Sequence, residues 1–126
     1  MSMVTRLHPR ETVHVDHDRL GTLYAQLGDV GADDVVCRAM EELALRMGQC
    51  ERLYRNSDLA GLRKQVRSLV AIAEQVGMLA LAEVARDVTK CIDCGDSVAL
   101  AATLSRLMRT GESSLTAVWD LQDITI

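Results

Sequence analysis

Cys91 and Cys94 stand three residues apart in Cys-Ile-Asp-Cys. That spacing lets a dithiol cycle to a disulfide or supply half of a zinc site. No second Cys or His pair lies near it in sequence, and Cys37 and Cys50 are thirteen residues apart on another segment. No βαβ pattern frames the pair as a thioredoxin-like motif, and at i and i+3 on a helix the thiols more simply pack inward. A second cluster is basic. Arg63 and Lys64 precede Arg67 by four and three residues, so on a helix the three share one side. Guanidinium groups there can meet carboxylates as charge-assisted, bidentate donors; the bland alternative is a solvated face of an amphipathic helix. His8, His14 and His17 all fall at or before the first helical stretch. Asp16, Asp18 and Asp29 sit at caps and loops, a poor arrangement for paired acid–base catalysis. Asp33-Asp34 and Glu41-Glu42 read as solvated faces. The chain has no Gly-rich phosphate loop and no nucleophile elbow.

The elements that position these residues are helical. Asp16 is a good N-cap, and Leu20, Leu23, Tyr24 and Leu27 follow at helical spacing. Gly28 closes this short helix, Gly31 opens the next segment, and Asp33 and Asp34 put negative charge where a helix dipole favours it. The second stripe is Val36, Met40, Leu43, Met47, Cys50 and Tyr54, with Gly48 as a place for close helix packing. Asn56 to Asp58 form a break, with Ser57 or Asp58 able to cap a helix whose stripe is Leu59, Leu62, Val66, Leu69, Ala73 and Val76. Gly77 ends it. Leu81, Val84, Ala85, Val88 and Ile92 mark another helix, which ends at Gly95. Asp96 or Ser97 caps the last, where Leu100, Leu104, Leu107, Leu115 and Val118 face inward, Gly111 is a weak point, and Trp119 anchors the bundle end. Short loops between helices of this length favour antiparallel neighbours. The expected fold is an all-α, antiparallel four-helix bundle with a short additional N-terminal helix across one end. Residues 1–15 read as a flexible tail, 16–120 as the bundle and 121–126 as a C-terminal tail.

Composition agrees. A chain of 126 residues with 48% apolar content is about one domain and can fill one core. With one Trp, two Tyr and no Phe, that core is built from Leu, Val, Ala, Met and Ile, and Met40, Met47, Met78 and Met108 belong to it. Fourteen basic residues against eighteen acidic ones argue against general nucleic-acid binding. Met1 to Val15 lacks the apolar stretch of a signal peptide, and no run approaches the roughly 18 apolar residues of a membrane span. Four cysteines in that setting are read as reduced thiols in the cytoplasm.

The segment from Val66 to Gly77 carries a family resemblance. Histidine phosphotransfer (HPt) domains have a helix with the pattern His-x-x-Lys-Gly, then a glycine six residues on and a second helix. Anchored on Leu69 and Gly77, this segment resembles that motif with Arg67 at the histidine position, Val70 at the lysine and Ala71 at the glycine. Leu81-x-x-Val84-Ala85, the Cys94-Gly95-Asp96 turn, the final helix and the opening from Val15-Asp16 to Leu27-Gly28-Asp29 are similar too. The resemblance spans residues 16–120 and departs from the family at the three residues that carry its chemistry.

Phosphotransfer needs a nucleophile that also releases the phosphoryl group, as neutral imidazole does. A guanidinium stays protonated and offers no free lone pair. The resemblance therefore implies a module with no catalytic residue, metal or cofactor, not an enzyme. Its partner would be a response-regulator receiver domain or a histidine kinase. Arg67 would enter the receiver's acidic pocket, with Arg63, Lys64, Ser68, Ala71 and Gln75 around it. Other readings stay open. A structural module could self-associate as a homodimer through Val35, Val70, Ile72, Leu79 and Val98. A thiol or metal protein could use Cys91 and Cys94, and an active phosphotransfer protein could use a non-standard histidine.

Overall fold

The computed structural model describes residues 16–124, which form four α-helices: α1 (His17–Arg55), α2 (Leu59–Gln75), α3 (Leu79–Cys94) and α4 (Ser97–Ile124). The expected tail at residues 1–15 lies outside the described residues, as do His8 and His14. Aspartates start three of the four helices; α3 follows Met78 with no side-chain cap. Asp16 Oδ1 accepts from the Arg19 N–H at 3.1 Å, Asp58 Oδ1 from Gly61 at 2.9 Å, and Asp96 Oδ1 from Ala99 at 3.0 Å. Each satisfies one of the amide groups a helix start leaves without a partner. Of the alternatives Ser57 or Asp58, and Asp96 or Ser97, the aspartate does the capping both times. Ser57 instead adopts a left-handed turn conformation, φ 58°. Gly95 ends α3 at φ 69°, its N–H donating to Ile92 O at 3.1 Å.

Turns this short leave successive helices antiparallel. α2 packs closely on α1 and on α3, and α3 on α4, whereas α1 and α4 make the sparsest contact of the neighbouring pairs. The apolar stripes meet in one core. Val36, Met40, Leu43, Met47 and Cys50 come from α1, and Leu62, Val66, Leu69 and Ala73 from α2. Leu81, Val84, Ala85 and Val88 come from α3, with Leu100, Leu104, Leu107 and Val118 from α4. Leu59, read as the first member of its stripe, is 41% exposed and outside the core, because it lies in the first turn of α2.

Four expectations are corrected. The short N-terminal helix is present, residues 17–27, and closed by Gly28 as expected; it forms the first limb of α1, and what differs is where the next helix begins. Gly28 breaks the helix at φ 75°, ψ 170°, and helical geometry resumes at once rather than at Gly31 or Asp33. α4 continues to Ile124, past the expected end at residue 120. Gly48 is exposed, and among the described residues a Cβ there would meet no heavy atom within 4 Å. The close approach is at Gly111, where a Cβ would overlap Met47 Sδ and stand 2.9 Å from its Cε. Finally, Trp119 is 54% exposed and does not anchor the bundle end.

Candidate functional site

α2 lies between α1 and α3, so one strip of it faces outward. Among its exposed positions, Ala60, Lys64, Arg67, Ala71 and Gln75 recur at steps of three and four, one line along the helix surface. Leu62, Val66, Leu69 and Ala73 fix this orientation by filling the core on the other side. Lys64, Arg67, Ala71 and Gln75 are therefore brought together as expected. Arg67 has no hydrogen bond or ion pair among the described residues, and Ala71 beside it offers no bulk to a surface approaching the guanidinium.

Arg63 and Ser68 behave differently. Arg63 turns toward the end of α3, where Nε and Nη2 donate to the two carboxylate oxygens of Asp93 at 2.9 and 3.1 Å. This bidentate bond holds the Asp93 carboxyl below the usual range and raises the guanidinium further. Arg63 is thus an internal tie between α2 and α3 rather than a second open guanidinium. Ser68 is half-buried, its hydroxyl donating to Lys64 O at 3.4 Å. Neighbouring charges are also engaged. Arg46 bonds Glu42 at 2.8 Å and Gln65 Oε1 at 2.9 Å, and Arg86 pairs with Glu74. With those ties made, Lys64 and Arg67 dominate the outward strip.

Cys91 and Cys94 share α3. Cys91 is half-buried with Sγ 3.5 Å from Thr103 Oγ1, and Cys94 is exposed. None of the four cysteines is in a disulfide, and no group of three or more His, Cys, Asp or Glu is placed to hold a metal ion among the described residues. Cys50 is fully buried, and burial pushes its thiol up to about 11, with Arg46 drawing it weakly the other way. At neutral pH a thiol reagent is expected to label Cys94 first and Cys50 only after unfolding, as read by mass spectrometry of peptides. Between the ordinary 9.0 and about 11, the unfolded chain loses the Cys50 proton while the folded one keeps it. Stability falls as pH rises through that window, and the fall is expected to be shallower in Cys50→Ala.

The residues suggested for a dimer face are spread over the bundle. Val70 and Ile72 pack against the core. Leu79 opens α3 and Val98 lies just beyond its other end, about 22 Å away at 1.5 Å per residue. Two features were not foreseen. Thr110 Oγ1 and Ser114 Oγ, one turn apart on α4, are buried with no hydrogen-bond partner among the described residues. An open depression of 340 Å³ lies where α1 and α4 part, between Tyr54 and Arg55 on one side and Ala101, Leu104 and Met108 on the other. The first sits at positions whose residue types look like surface, and the second depends on how two helices splay. Among the described residues no helix is long and apolar enough to cross a membrane. Compared with family models, curated proteins and solved structures, the chain matches none.

Proposed function

We propose that the chain is a non-catalytic binding module of two-component signalling, docking a response-regulator receiver domain, or the related histidine kinase, in the cytoplasm. The observation that supports this reading most is Arg67, an exposed guanidinium with no hydrogen bond or ion pair among the described residues, centred on the outward strip of α2. That is the position the resemblance to HPt domains gives to the phosphorylated histidine. A guanidinium satisfies an acidic pocket with two parallel hydrogen bonds and takes no phosphoryl group from it. Lys64 adds charge one turn away, and Ala71 leaves room for close approach. Arg63, already paired with Asp93, supports the strip by fixing α2 against α3.

The test is a titration of the purified chain against receiver domains of its host, with Arg67→Glu alongside. Saturable binding to one receiver, weakened roughly tenfold or more by Arg67→Glu, is the expected result. Arg67 is exposed, so circular dichroism of the variant should match the parent. Saturation with no receiver would remove the proposal.

A further inference from the structure

Two backbone-directed hydrogen bonds among the described residues hold the start of the first limb of α1, residues 17–27, to the bundle. The Asp16 N–H donates to Gly77 O at 2.7 Å and Arg19 Nε to Gln75 O at 3.2 Å. Leu20 and Leu23 are only partly buried against the core. The limb joins the rest of α1 through Gly28 alone, at φ 75°, ψ 170°, where a Cβ would meet no heavy atom within 4 Å. Helix continues on both sides with no connecting loop. Among the described residues a side-chain bond spans the break: the Tyr24 hydroxyl donates to Asp33 Oδ1. Along a continuous α-helix, side chains nine residues apart are about 13.5 Å apart on the axis and on opposite faces. That hydrogen bond therefore exists only while α1 is bent.

We propose that α1 is a two-state helix whose first limb swings about Gly28. In the bent form the limb is latched on the α2–α3 turn; in the straight form it continues the axis of the rest of α1. The conversion changes the two dihedrals of one glycine and requires no loop to be remade. Straightening restores the helical hydrogen bonds that the break interrupts and gives up the Asp16, Arg19 and Tyr24 bonds, an exchange of similar size in each direction. It also lines Leu20, Leu23, Leu27 and Val30 along one side of a projecting helix. Leu27 and Val30 are already 49% and 79% exposed in the bent form.

Alanine distinguishes the two states at residue 28. It is disfavoured at the bent dihedrals and preferred over glycine in a helix, so Gly28→Ala shifts the balance toward the straight form roughly a hundredfold. Tyr24→Phe removes the clasp and shifts it the same way, several-fold. The distance between spin labels on Asp18→Cys and Ala71→Cys is measured by electron double resonance in the full chain with its native cysteines replaced. The expected result is a narrow, longer distance gaining population in both variants, with helicity retained in circular dichroism. If removing the cysteines unsettles the fold, X-ray scattering of cysteine-intact Gly28→Ala reads the same change, because eleven residues of projecting helix add about 16 Å to the longest dimension. An unchanged short distance in both variants overturns the switch. So does a broad distribution with lost helicity, which marks a limb that frays.

Discussion

Truncating Leu81 to alanine is expected to lower the unfolding free energy by about 2–5 kcal/mol, the largest effect of any single change considered. Leu81 is fully buried, and its Cδ1 lies 3.7 Å from where a Cβ on Gly111 would stand. Met47 reaches that same place from α1. Leu81 therefore helps to fill the point where α1, α3 and α4 converge, and α1 and α4 make only sparse contact elsewhere. Neither neighbour can refill the space cheaply: Gly111 has no side chain, and Met47 already occupies the gap that glycine leaves. A cavity that cannot collapse places the cost toward the upper part of the range. Denaturant unfolding measures it, and the slope should be unchanged because the same surface is exposed in both proteins. Leu79→Ala, at a 45% exposed position two residues earlier, is the control and should cost within about 0.5 kcal/mol.

Gly77→Ala is expected to cost roughly 1–3 kcal/mol from backbone conformation alone, with steric displacement added. Gly77 sits at φ 77°, and a Cβ there would lie 2.9 Å from Asp16 O and 3.2 Å from Asp16 N. These are backbone atoms, which cannot rotate aside as a side chain end does. The 2.7 Å bond from the Asp16 N–H to Gly77 O would be pushed apart, so the variant should lose stability and release the first limb of α1 together. Thermal unfolding followed with hydrogen exchange at Asp16 to Leu23 separates the two effects. A loss of stability with no increase in exchange along the limb would mean that Asp16 moves with the turn and the latch survives.

Much of this fold is legible in the sequence because its core is written at a period near 3.6. Leu62, Val66, Leu69 and Ala73 on α2, and Leu81, Val84, Ala85 and Val88 on α3, are buried as their spacing requires. Legibility fails where the answer depends on a residue far away in sequence. Gly48 and Gly111 look alike in a helical pattern, yet only Gly111 has Met47 against it. The Gly28 break is visible, but Gly31 and the Asp33-Asp34 pair imitate a new helix start and hide that α1 resumes at once. For the candidate site, periodicity places Lys64, Arg67, Ala71 and Gln75 on one strip. It cannot show that Arg63 is taken by Asp93, a partner 30 residues on. Trp119 follows the same logic: a large apolar side chain near a helix end invites burial, and its exposure is settled by where the last turns of α4 lie.

The central claim is that the Arg67 strip of α2 is where a partner docks. Backbone amide mapping by NMR measures this most directly, in a titration of the labelled chain with an unphosphorylated receiver domain. Shifts and broadening are expected to cluster at Lys64, Arg67, Ala71 and Gln75, with Leu100 to Met108 unmoved. Perturbations centred instead on the depression between Tyr54 and Met108, or the absence of any perturbation across the host's receivers, would contradict it.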